Sequence, residues 1–216
     1  MLNPSGNLAG EMTRKEPKEE RMQAIIEAAV EVFLEKGYEG TSMEAIAKRA
    51  GLTKGGLYHH FKSKDEILQY VNNRFREPVL EMMEKCRQSR SPTKGLRKFI
   101  RDYLGHWDEH TDQAAFTFLS MVKVISSRDL WPIMEAYASE MASFFESMLE
   151  LGVKAGELRS HDAQSRSWTL VAALDGIIGY MIISTTLTPG STAASLEKVL
   201  VDEILAQGEK DRGKNS

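Results

Sequence analysis

Cysteine is nearly absent from this 216-residue chain: Cys86 is the only one. That excludes an internal disulfide and fits a reducing compartment. Cys86 also keeps helical apolar spacing from Met82 and Met83, which makes it a core residue rather than a redox centre. There is no strand-like alternation of apolar and polar residues and no internal repeat. A nucleophile motif and a phosphate-binding glycine loop are both missing. The first twenty residues hold no apolar h-region and are rich in Gly, Pro, Asn, Lys and Glu, so residues 1–17 are expected to be a disordered arm and not a signal peptide. A net charge of only −3 gives no overall excess of positive charge to mark a nucleic-acid partner. Residues 168–187 are apolar enough to suggest a membrane span, but Asp175 lies near the middle. A central Asp costs about 2.5–3.5 kcal/mol on insertion scales. A helix covered by protein is the better expectation, with no membrane partner and a cytoplasmic location.

What is present is an ordinary soluble composition, 27% charged and 42% hydrophobic, and length enough for one or two domains with a sizeable core. The most informative stretch is 41–64, TSMEAIAKRAGLTKGGLYHHFKSK. Thr41 or Ser42 can cap a first short helix, with Glu44 placed for a capping box. Met43, Ile46, Ala47 and Ala50 share one face of it. Gly51 supplies the turn, Thr53 caps a second short helix anchored by Leu57 and Phe61, and Ser63 with Glu66 opens a third. Two short helices about a glycine turn form a helix-turn-helix, whose second helix enters the DNA major groove. The local charge agrees: Lys48, Arg49, Lys54, Lys62 and Lys64 stand against Glu44 alone.

These residues resemble the DNA-binding end of the tetracycline-repressor (TetR) family. The shared pattern is Thr41, Ile46-Ala47, Ala50-Gly51, Thr53, Gly55-Gly56, Leu57-Tyr58, His60-Phe61 and Ser63-Lys64. The resemblance is strong over residues 20–70 and looser beyond, where helices five and six match only in layout. It implies that Lys54 and Gly55 face base edges, and that Tyr58, His59, His60 and Lys64 grip phosphates. Lys is a natural donor to guanine, and a Gly lets backbone approach closely. Thr41, Ser42 and Thr53 are further phosphate contacts, or capping residues alone; Tyr58 and His60 have core packing beneath the first helix as their alternative.

The rest of the chain reads as helix. A first helix over 18–36 carries Met22, Ile25, Ile26, Ala29, Val30 and Phe33 and ends at Gly37. A fourth over 64–87 contains Pro78, which should kink or interrupt it. Then follow 92–109, a helix capped by Thr111, 129–155 ending at Gly156, 162–184, and 192–207 after a break at Thr188-Pro189-Gly190. The expected fold is therefore all-α: a head over 18–63, a ligand-binding and dimerisation body over 64–207, and a frayed tail over 208–216.

Helix 162–184 is apolar on nearly every side and needs cover on every side. The resemblance supplies that cover as a four-helix bundle between two subunits. The interface expected is Trp168, Val171, Ala172, Leu174, Gly176, Ile178, Gly179 and Ile182, with Leu196, Val199, Leu200 and Ile204 from the last helix. Methionine and aromatic residues concentrate in helices five to eight, as plain core or as the walls of a cavity. Trp107, Phe116, Met121, Trp131, Met134, Tyr137, Met141, Trp168 and Asp175 are the candidate ligand contacts. His106, Glu109 and His110 match H-x-x-E-H, a spacing used by a group of zinc peptidases. No distant carboxylate is marked as a third ligand, so surface histidines are preferred to a metal site.

The expectation is thus a DNA-binding, effector-responsive transcriptional regulator, a homodimeric repressor on a pseudo-palindromic operator, released by a small apolar or aromatic molecule. It has no catalytic residues, no metal and no cofactor. The alternatives are an activator or ligand-independent regulator on the same fold, and a metal-dependent hydrolase at His106 and His110.

Overall fold

The computed structural model describes residues 18–206; the expected arm over 1–17 and tail over 208–216 lie outside them. Among the described residues there are nine α-helices and a single isolated antiparallel bridge, Leu158 to Leu205. They are α1 Lys18–Gly40, α2 Met43–Arg49, α3 Lys54–His60, α4 Lys64–Arg87, α5 Pro92–Glu109, α6 Thr111–Ile125, α7 Trp131–Lys154, α8 Ala163–Ile183 and α9 Pro189–Leu196.

The apolar stripe of α1 is buried from Ile25 to Phe33, and the helix breaks at Gly37, whose φ of 68° is open to glycine at little cost. α2, α3 and the first turns of α4 close under that stripe through Ile46, Leu57, Phe61 and Ile67. α4 is long enough to leave this head and enter the body. Pro78 does not end it: the helix is continuous to Arg87, because the pattern Phe75, Val79, Met83, Cys86 is buried on both sides of the proline. Burial against α5 pushes the Cys86 thiol up to about 12, so it stays a neutral core residue.

α5 is the axis of the body, fully buried at Leu96, Phe99, Ile100, Tyr103 and Leu104, and it packs against α4, α7, α8 and α9. Ser91 caps it, with Pro92 in the first turn. α6 lies across both halves. Its Phe116 ring meets Phe33 of α1 and Phe75 of α4 edge-on, at 5.6 and 5.7 Å between centroids. Thr111 is the first residue of α6 rather than its cap, and a short 3₁₀ turn, Arg128–Leu130, precedes α7.

The last helix differs most from expectation. Thr188 is not a break but the cap of α9, its hydroxyl accepting from Ser191 N, and Pro189 is in the first turn. After Leu196 the chain widens into a π turn, Glu197–Val201, then a 3₁₀ turn to Ile204. Glu197 is buried and bound by Arg101 (2.6 and 2.8 Å) and Arg97 (3.3 Å), both from α5. Arg159 N donates to Ile204 O and Ala206 N to Glu157 O, each at 2.9 Å, which ties this end to the α7–α8 connection.

Candidate nucleic-acid interface and inner cavity

Ser42 caps α2, its Oγ accepting from Ala45 N at 3.2 Å. At the other end Gly51 has φ 66°, Leu52 N donates to Ala47 O and Gly51 N to Lys48 O. That pair of bonds is a Schellman ending, which turns the chain sharply into α3. Thr53 caps α3 by accepting from Gly56 N (3.1 Å), and Leu57 and Phe61 root the helix in the head. Most of the rest points outward: the cap Thr53 and Lys54, Gly55, Tyr58 and His59 of α3 are exposed, Gly56 and His60 are half-buried, and the Cα of Gly55 faces open space.

Lys54 forms an ion pair with Glu44 of α2 and stands 5.8 Å from the Tyr58 ring centroid. The pairing holds the Glu44 carboxyl below its usual range and the Lys54 ammonium above its own. Exposed pairs of this kind are weak and open easily. His60 is half-buried; burial, then His59, Arg21 and Lys18, hold its imidazole below the usual value, so it is neutral at physiological pH.

Two expected phosphate contacts are corrected. Thr41 is buried, its hydroxyl donating to Gly37 O (2.7 Å) and Val32 O (3.3 Å), so it neither caps α2 nor reaches solvent. Lys64 is half-buried, with Nζ donating to Tyr38 O (2.8 Å) and Thr41 O (3.2 Å) and lying 4.2 Å from the Tyr38 ring centroid. Its charge closes the carbonyl end of α1. Arg49 is likewise engaged, by Glu31 and Glu35 of α1 at 2.6 and 2.7 Å. Lys48, Arg49, Lys54 and Lys62 are the exposed cations of this stretch, Arg49 held by its two carboxylates.

Inside the body, α5, α6, α7 and α8 enclose a cavity of about 30 Å³, room for about two waters. Of the expected ligand contacts, Trp107, Met121, Tyr137 and Asp175 line it. Phe116 does not, being the aromatic joint between α1, α4 and α6. Met141 is core, Met134 is half-buried in the first turn of α7 and does not line the cavity, and Trp131 and Trp168 are half-exposed on the surface. Tyr103, Ala114, Thr117, Phe118 and Ile178 complete the wall, and sequence reasoning missed Tyr103, Ala114, Thr117 and Ile178 as cavity residues. Asp175 is largely buried, and desolvation raises its carboxyl to about 6. The same burial, with Asp175 nearby, raises the hydroxyls of Tyr103 and Tyr137. Trp107 Nε1 is buried without a hydrogen-bond partner. A larger, open cleft of about 390 Å³ lies at the far end of α7 and the start of α8, and none of the expected contacts lines it.

α8 turns one side to solvent. Trp168 (45% exposed), Ala172, Gly176, Tyr180 (64%) and Ile183 (76%) make an apolar stripe, with Val199 (60%) beyond α9. Six of the expected interface residues are instead off the surface. Val171, Leu174 and Ile178 are buried in their own subunit, and Leu196, Leu200 and Ile204 face inward behind the Glu197–arginine clamp. Gly179 is close to the Phe118 ring: a Cβ there would come within 2.9 Å of it. Ile182 is half-buried.

His106 and His110 stack at 4.5 Å, and His110 Nδ1 contacts His106 O at 2.8 Å. His106 is not the surface residue expected: its Nε2 is buried without a partner, and burial lowers its basicity. Among the described residues no three His, Cys, Asp or Glu side chains are grouped to hold a metal ion.

A head whose second short helix stands outward on a buried root defines a helix-turn-helix DNA-binding protein. Comparison with known proteins agrees. Residues 25–71 match the family described as "Bacterial regulatory proteins, tetR family". The chain is 28% identical over 173 residues to the HTH-type transcriptional repressor BepR of Brucella suis biovar 1 (strain 1330), covering 77% of this chain and 82% of that protein. Among solved structures it resembles NalD, described as the secondary repressor of the MexAB-OprM multidrug efflux pump in Pseudomonas aeruginosa (TM-score 0.73, 22% identity, 88% of this chain and 98% of that one). It also resembles FadR from Bacillus subtilis in complex with stearoyl-CoA (TM-score 0.69, 21% identity, 84% and 98%). Residues 25–71 carry the DNA-binding region of the tetR family of bacterial regulatory proteins, and the chain is a DNA-binding transcriptional regulator.

Proposed function

We propose that this regulator is a cytoplasmic repressor that binds a pseudo-palindromic operator as a homodimer and leaves it when a small molecule enters the cavity among α5 to α8. It acts by binding and not by catalysis. Residues 18–63 serve as the reading head and 64–206 as the regulatory body. Lys54 and Gly55 read base edges, while Ser42, Thr53, Tyr58, His59 and the edge of His60 lie against phosphates. Two such heads about 34–36 Å apart read one face of the duplex.

One observation carries the ligand-responsive part: α6 is wall and lever at once. Thr117, Phe118 and Met121 line the cavity. On its other side Ser120 accepts from Asn72 of α4 at 2.8 Å, and Lys123 lies 4.3 Å from the Tyr38 ring of α1. A cavity of about 30 Å³ has no room for an effector, so entry must move its walls, and α6 is the wall that also touches α1 and α4. About 1–3 kcal/mol of coupling is enough for release. The stearoyl-CoA bound by FadR supports a small-molecule effector in this fold.

The test is operator binding by fluorescence anisotropy, with and without a molecule recovered from the purified protein and identified by mass spectrometry. Release of DNA by that molecule is expected, and Asn72→Ala with Lys123→Met should blunt release more than ligand affinity. Full release from the double variant would remove α6 as the lever.

A further inference from the structure

The cavity has an unusual electrical character. Its one ionisable acid, Asp175, is largely buried, and no hydrogen bond or ion pair to its carboxylate is formed among the described residues. Leaving a carboxylate without a partner in an apolar setting is costly and is a mark of functional sites. No Lys, Arg or His lines the cavity. Arg76 of α4 is the nearest guanidinium, 5.4 Å from the Tyr137 ring centroid, and its charge is paired with Glu140. Around the acid stand the aromatic walls of Tyr103, Trp107, Phe118 and Tyr137. Aromatic rings with one desolvated carboxylate form a setting that attracts a cation and rejects an anion.

Resting on the reading of this cavity as the effector site, we propose that it takes an amine with an apolar or aromatic body, bound as its monocation, with Asp175 as counter-ion. The ammonium meets Asp175 and the π-rich walls, and the body displaces Phe118 and Met121 on α6. Trp107 Nε1, buried beside the Tyr103 hydroxyl with no well-formed hydrogen bond, is a donor that can turn to an oxygen on the same ligand.

The proposal carries a pH dependence. In the free cavity Asp175 holds its proton up to about pH 6; with an ammonium beside it the ionised form is favoured. Binding therefore releases a proton near pH 6, and affinity rises with pH and levels off above about 7. The other groups facing Asp175 are Tyr103 from α5 and Tyr137 from α7, both neutral throughout this range because burial raises them; α6 contributes no titratable group to the wall.

The test is calorimetry on the full chain with 2-phenylethylamine, the neutral 2-phenylethanol and the anion 3-phenylpropanoate. At pH 8 the amine should bind at least about tenfold tighter than the alcohol, a modest cation–π and ion-pair preference. The anion should not bind. Runs near pH 6 in two buffers of different ionisation enthalpy should show the proton released, a readout that needs no variant. Asp175→Asn should level the amine with the alcohol. If the alcohol or the anion matches the amine, the charge class is wrong and the cavity remains the effector site. If the amine binds equally well to Asp175→Asn and to Thr117→Trp, which fills the space, the ligand sits elsewhere and the reading beneath the proposal falls. Failure of the amine to bind at millimolar concentration overturns the proposal.

Discussion

Lys54 and Lys64 carry the same charge ten residues apart and do different work. Lys64 closes two carbonyls and covers the Tyr38 ring, whereas Lys54 has only an exposed carboxylate to leave. Lys64→Ala is expected to cost about 1–3 kcal/mol of stability, read from the denaturation midpoint, with the salt dependence of DNA binding unchanged. A salt slope lower by about one would restore it as a phosphate contact. Lys54→Ala should leave stability alone and relax preference at one or two base pairs by about tenfold in a site-selection assay. Asp175 adds a stability effect of opposite habit to most carboxylates. Because its folded value, about 6, lies above the unfolded one, folding takes up a proton between about pH 4 and 6. The ligand-free protein therefore loses stability as pH rises through 6, and Asp175→Asn should melt higher than the parent at pH 8 and alike at pH 4. Equal melting at both would mean that the carboxylate has a partner in solution.

At the scale of elements, the helices were legible because each has its own local signals: the apolar stripe of α1, the Ser42, Thr53 and Ser63 caps, Gly37, Gly51 and Gly156 at the turns. What was not legible depended on partners far away in the chain. The Lys64 bonds span 26 and 23 residues, and nothing near Thr41 announces that its hydroxyl turns back to Val32 and Gly37. Periodicity showed that α9 has an apolar face without showing that α5 covers it. Likewise Phe116 and Phe118 look alike in sequence, though one is a joint and the other a cavity wall. That difference is testable. Gly179→Ala pushes a methyl toward the Phe118 ring, so it should cost about 1–3 kcal/mol, as overpacking does. It should alter the ligand response while leaving sedimentation unchanged. A monomer from Gly179→Ala would return this glycine to the subunit interface.

For the whole molecule, the exposed α8 stripe is the surface proposed for a second copy, since α9 is held to α5. Trp168→Asp with Tyr180→Asp should convert the proposed dimer to monomer in sedimentation and abolish operator binding with the head still folded. Normal dimers from that variant would place the seam elsewhere.

The clamp of Glu197 by Arg97 and Arg101 then has a consequence for how the gene would be switched. By tying the last helix inward it would leave the proposed dimer a seam about one helix wide on each subunit, narrower than the bundle expected from two. A narrow apolar seam gives a dimer that forms and parts over the working range of concentration. Operator occupancy would then climb with the square of protein level at low abundance and linearly at high abundance. Dilution during cell growth would sharpen derepression without any effector, a dose response that a titration from nanomolar to micromolar protein would trace directly.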